Sequence, residues 1–174
     1  MDEILEEFTR ESKDLIEQMT GILESVEEDP KRFQKLEDFG QTVDRIMGGA
    51  KSIAMGYPPE HATHVIANYC ELCKLVSYKA SQIPDNPDLT NIVTALLLDA
   101  TETLEQLTSQ LENHGDSQIK NVMTTTFLDR LKWVATKFDE NLRASVAITT
   151  NGSPATKSST QQDIDQILKQ LGLS

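Results

Sequence analysis

Apolar residues recur along this chain every three or four positions. In the first segment Ile4, Phe8, Leu15, Met19, Ile22 and Val26 fall on one stripe, the pattern of an amphipathic helix. Glu27-Glu28-Asp29-Pro30 ends it, because a proline pushes the residue before it out of helical geometry. A second stripe holds Phe33, Leu36, Phe39, Val43, Ile46, Ala50 and Ile53, and stops at Gly56, ahead of Pro58 and Pro59. The third carries Val65, Ile66, Tyr69, Leu72, Cys73, Val76 and Ala80 until Pro84-Asp85-Asn86-Pro87 breaks it. The fourth runs from about Asp88 through Leu89, Ile92, Val93, Leu96, Leu97, Leu104, Leu107 and Leu111, and Asn113-His114-Gly115 closes it. The fifth holds Ile119, Val122, Met123, Phe127, Leu131, Val134, Phe138 and Leu142. No segment keeps a strand's period of two over a useful length. Short connections make neighbouring helices antiparallel. The expected fold is therefore all-α: an up-and-down antiparallel bundle of about five helices over residues 1–148, closed within one chain by the proline breaks.

The pattern changes after Ile148. Thr149 to Thr160 reads TTNGSPATKSST, with no large apolar residue, and predicts a flexible linker over 149–160. Helical spacing returns in 161–174, where Ile164, Ile167, Leu168 and Leu171 share one face. Thr160 or Asp163 can cap this tethered C-terminal helix, and Gly172 can end it. A helix this short is marginal alone in water, so its apolar stripe needs a seat. Two seats fit the pattern: a groove on a partner protein, or the chain's own bundle.

Composition narrows the function classes. The formal net charge is −12, and residues 1–30 hold eleven acids against Arg10 and Lys13. Phosphate backbones and anionic membranes are repelled by such a surface. No stretch reaches the ~18 uncharged apolar residues of a spanning helix, and the start Met1-Asp2-Glu3 is acidic, unlike a targeting signal. With only Cys70 and Cys73, a reducing, cytoplasmic location is expected. His61 and His64 cannot join both cysteines around one metal without breaking the helix, so Cys70 and Cys73 read as core. Trp133 reads as a packed core or groove residue. Gly48 and Gly49 each cost a helix about 1 kcal/mol against Ala, which predicts close approach by a partner or a neighbouring helix. There is no Ser-His-Asp set, P-loop or dinucleotide motif.

In the second segment Glu37, Gln41, Asp44 and Gly48 lie at i, i+4, i+7 and i+11, on one face and away from Phe39, Val43 and Ile46. Glu37 and Gln41 should sit together on the outside. Glu102 and Gln106 repeat the spacing without the flanking residues. The stretch EDFGQTVDRIM resembles the catalytic helix of the CheZ chemotaxis phosphatases, an acid, three residues and a glutamine, then an apolar-basic run. Gly40-Gln41, Val43, Arg45 and Met47 fit that motif, and Glu37 stands where the family has Asp. The tail QQDIDQILKQLGL resembles the CheY-binding C-terminus of the same family, Val-Asp-x-Leu-Leu-x-x-Leu-Gly-aromatic after an acidic or amide lead-in. Asp163 falls in the lead-in, Ile164, Asp165, Ile167, Leu168, Leu171 and Gly172 occupy the pattern, and Leu173 replaces the aromatic. It is similar also to the flagellar motor-switch peptide that binds CheY. More broadly, Asp44-Arg45-Ile46-Met47-Gly48-Gly49-Ala50 and Met55-Gly56-Tyr57 resemble a histidine phosphotransfer domain such as the first domain of CheA. There Asp44 takes the place of the phosphorylated histidine, so a phosphoryl relay is lost.

These resemblances imply a phosphotransfer-type bundle that dephosphorylates a CheY-type response regulator. Gln41 would orient the attacking water and Glu37 would contact the regulator's active-site lysine. Asp44, Arg45, Gly48 and the tail residues Asp163, Ile164, Asp165, Ile167, Leu168 and Leu171 would bind the partner. The chain would need no cofactor of its own, because the Mg²⁺ belongs to the regulator. The alternative is a non-catalytic adaptor that binds a regulator through the same surfaces. The sequence leaves monomer or dimer open.

Overall fold

The computed structural model describes residues 2–111, 124–139, 142 and 160–173 of the chain. The expected linker over 149–160 lies, except for Thr160, outside the described residues, as do Ile119, Val122 and Met123 of the fifth segment. Helix α1 spans Glu3–Glu28, α2 Leu36–Ala54, α3 Ala62–Ala80, α4 Pro87–Gln110, α5 Thr125–Ala135 and α6 Thr160–Gln170, with a 3-10 helix at Pro30–Lys35 between α1 and α2. There is no strand among the described residues, and no described helix is long and apolar enough to cross a membrane. The all-α bundle expected from the spacing is what forms.

Local chemistry sets the element ends. Asp2 caps α1 by accepting from the Ile4 amide, and Asp29 caps the 3-10 helix by accepting from the Lys31 amide. Asn86 does the same for Leu89 at the start of α4, with Pro87 in the first helical position. The second stripe is not one helix: Phe33 sits in the 3-10 turn, Arg32 departs from helical geometry at φ −83° and ψ 18°, and only from Leu36 does the α-helical ladder begin.

Helices α1 to α4 pack in a ring, each against the next and α4 back against α1. Arg45 pairs with Glu11 while Gly49 lies against Phe8, and Asp44 pairs with Lys74 while Gly40 lies against Tyr78, so α2 runs antiparallel to both α1 and α3. The core includes Met19, Leu23, Phe39, Ile46, Ile66, Tyr69, Leu96 and Leu104, each at most 1% exposed. Buried threonines on α4 satisfy themselves: the Thr94 and Thr101 hydroxyls each donate to the carbonyl four residues back at 2.7 Å. At one end of the ring Asp2 also accepts from the Tyr57 hydroxyl at 3.0 Å, and Tyr57 stacks on His61 at 4.1 Å. This contact ties the start of α1 to the α2–α3 connection. Helix α5 lies on α4, and α6 lies on α3 and touches α5.

Ile4 and Trp133 lie exposed outside the expected core, and Ile22, Phe33, Ile53, Val65, Ile92 and Leu142 are only half-buried. The inward line of α1 runs through Leu5, Phe8, Ser12, Ile16 and Met19, which leaves Ile4 61% exposed, about 80° off the centre of that line. On α5 the inward residues are Phe127, Leu131 and Val134. Trp133 sits off that face and is exposed, with the Lys137 ammonium 4.9 Å above its ring, a cation–π contact in place of core packing. Ile22 sits at the edge of its stripe.

Candidate functional site

Helix α2 presents its polar face between the packed edges of α1 and α3. Phe39, Val43 and Ile46 are at most 1% exposed and anchor the opposite side. Gln41 is therefore exposed, as its position predicts, and Glu37 one turn earlier is half-buried. Neither side chain makes a hydrogen bond or ion pair among the described residues. A carboxylate and a carboxamide one turn apart, with donor and acceptor capacity unspent, can engage polar groups of another molecule.

The rest of the predicted face is divided. Asp44 accepts from Lys74 Nζ at 2.6 Å, with the lysine side chain 17% exposed and the aspartate 44% exposed. Arg45 reaches across to Glu11 at 3.3 Å, both ends well solvated, a contact worth no more than about 1 kcal/mol. Gly48 is exposed. Sequence reasoning missed Lys74 and Tyr78, which sit one turn apart on α3 and frame this face. Burial raises the Tyr78 hydroxyl pKa first, and the charges of Asp44 and Glu37 raise it further. The signal is an i, i+4 polar pair beside the apolar stripe of α3.

The glycines of α2 separate packing from openness. A Cβ on Gly40 would stand 2.8 Å from Tyr78 Cε2 and 2.9 Å from Ser77 Oγ, and one on Gly49 would stand 3.1 Å from the Phe8 ring. Those two glycines let α3 and α1 approach. A Cβ on Gly48 would meet nothing within 4 Å, so the fold itself gives no reason for this glycine. Gly40→Ala is expected to cost about 1–3 kcal/mol by overpacking. Gly48→Ala should instead add up to about 1 kcal/mol of helix stability. Paired urea titrations check the opposite signs; equal shifts would contradict the packing described.

The cysteines belong to the core. Cys70 and Cys73 are free and buried in the core, and no group of three His, Cys, Asp or Glu among the described residues could hold a metal ion. Burial pushes both thiols up, Cys73 to about 12 from an ordinary 9.0. Below pH 9 the thiol is protonated both folded and unfolded, and stability is unaffected. From about pH 9 to 12 the unfolded chain releases a proton that the fold retains, so stability falls as pH rises, by at most about 1.4 kcal/mol per unit for one such thiol. The urea midpoint should drop above pH 9, and less steeply in Cys73→Ala. Parallel slopes would place that thiol elsewhere than the core.

Helix α6 answers the question left open by its stripe. Ile164, Ile167, Leu168 and Leu171 are all buried against the chain's own bundle. Asp165 and Gln166 face outward, Asp163 is half-buried, and Gln161 donates to Asp165 at 3.2 Å. Gly172 takes φ 74°, and the Leu173 and Gly172 amides donate to the Leu168 and Lys169 carbonyls at 2.9 and 3.0 Å. This is a Schellman ending, for which glycine is favoured. With α6 seated, a groove remains whose walls are α2 at Met47 and Lys51 and α6 at Asp163 and Gln170, with Glu71 and Lys74 between them. Gln41 is not among the residues α6 approaches there, and it stays exposed. The structure thus brings Glu37, Gln41, Asp44 and Gly48 to one face, and seats the tail across a groove from α2 at Met47 and Lys51, with Asp44's partner Lys74 in its lining.

Compared with protein-family models, curated proteins and solved structures, the chain matches none.

Proposed function

We propose that this protein is a phosphatase for a phosphorylated CheY-type response regulator, acting through Gln41 and Glu37 on α2. The observation that carries the reading is the exposed, uncommitted Gln41 one turn from a half-buried Glu37, on a helix where Thr42, Asp44 and Arg45 are already engaged. The substrate is an aspartyl phosphate. Water attacks phosphorus, the bond from phosphorus to the aspartate oxygen breaks, and the products are aspartate and inorganic phosphate carrying the water's protons. Phosphoryl transfer is accelerated mainly by positioning and charge stabilisation. The Gln41 amide accepts from the attacking water and donates to a phosphoryl oxygen, which a neutral amide does without a tuned pKa. Glu37 pairs with a lysine of the regulator and fixes the register. The Mg²⁺ of the reaction belongs to the regulator.

The open Gly48 supports the same docking face, since a flat patch admits a partner's backbone. A non-catalytic adaptor is the second reading, favoured over phosphoryl relay by Asp44, which is held by Lys74 where a relay histidine would stand. The decay of a regulator's acyl phosphate, followed with and without this protein, separates the two. Faster decay supports the phosphatase. An unchanged rate despite measurable binding leaves the adaptor.

A further inference from the structure

The regulator reading extends to the tail through its resemblance to a CheY-binding peptide, which makes the apolar face of α6 the surface a regulator would grip. That face is already occupied. Ile164, Ile167, Leu168 and Leu171 are each no more than 7% exposed, on α3 with α5 alongside. The polar end is fastened as well: Lys79, itself 3% exposed, donates from Nζ to Thr160 Oγ1 at 2.5 Å. One stripe cannot fill two grooves at once.

We propose that the seat of α6 on α3 and α5 is an autoinhibitory latch, competing with the response regulator for the apolar face of α6. The proposal rests on the regulator-binding reading above. Residues 143–159 separate Leu142 from Thr160, and such a length spans at most ~60 Å fully extended. That reach lets α6 leave its seat while it stays tethered. Gln41 is exposed with α6 seated, so the latch controls recruitment of the regulator and not the catalytic amide. The arithmetic is that of a population shift: a seat occupied about nine times in ten weakens binding through α6 about tenfold. A regulator abundant enough to outcompete the seat opens the latch.

The test uses the full chain with α6 unaltered. Lys79→Met removes the bond to Thr160, and Leu75→Ala trims the wall beside Ile167. Hydrogen exchange of the α6 amides reports the seat, and titration with a beryllofluoride-activated CheY-type regulator reports recruitment. In the wild type the α6 amides are expected to be protected. In both variants they lose protection while α1 to α4 keep theirs, and regulator affinity rises about tenfold. Should Leu75→Ala lose the bundle, Lys79→Met carries the test, because it drops the bond to Thr160 and keeps a buried aliphatic stem. Unprotected α6 amides in the wild type overturn the latch, and so does unchanged affinity once α6 is released. A regulator that binds neither the full chain nor a synthetic 160–173 peptide, with α6 protected as expected, overturns the regulator reading and leaves the seat as a purely structural contact.

Discussion

Gln41→Ala is expected to slow dephosphorylation of a CheY-type regulator by about 100-fold or more and to leave its binding within about threefold. The size follows from what the amide is asked to do. Removing one oriented hydrogen-bonding group from a transition state costs about 10²–10³ in turnover. An attacking water that is no longer held in line loses orientation as well. The change does little elsewhere. Gln41 is exposed and makes no hydrogen bond among the described residues, so its truncation should alter stability by no more than about 0.5 kcal/mol. Thermal melts of both proteins check that, and single-turnover decay of the acyl phosphate at saturating protein measures the chemistry. Glu37→Gln keeps the shape and removes the charge, so it should weaken binding more than turnover. A wild-type rate in Gln41→Ala refutes the assignment and turns attention to Gln106, exposed one turn from Glu102 on α4.

Much of this was legible in the periodicity, because helices that close on one another must each carry an apolar stripe, and the prolines mark where each stops. Phe39, Val43 and Ile46 placed Gln41 outside by geometry alone. What the spacing could not give was the phase of a stripe with alternatives, as on α1, where Ile4 and Leu5 both qualify and only the fit against α2 and α4 decides. Trp133 was misplaced for a related reason: a large apolar side chain off the stripe finds a lysine instead of a core. Across-helix partners were out of reach too. Nothing local to Asp44 says that Lys74, thirty residues on, will neutralise it. The tail was ambiguous in kind, because a stripe specifies that a seat exists and not on which molecule.

Phe39→Ala should lower the stability of the bundle by about 3–5 kcal/mol, the usual cost of emptying a fully buried aromatic site. Phe39 is 0% exposed, on the side of α2 that faces the core. Against a typical stability of about 5–15 kcal/mol, that loss is a large fraction, and for a chain of this length it lowers the melting temperature by about 10 °C. The effect on chemistry should be the reverse of that for Gln41→Ala. Gln41 lies two residues on, about 200° round the helix, so a protein that is still folded at 25 °C presents the same amide to solvent. Turnover per folded molecule is expected to stay within about threefold of wild type. The two variants thus divide the face of α2 that is spent on folding from the face left for a partner. A loss of less than about 1 kcal/mol on Phe39→Ala would mean that α2 is not pinned by this stripe. The outward aim of Gln41 would then need another cause.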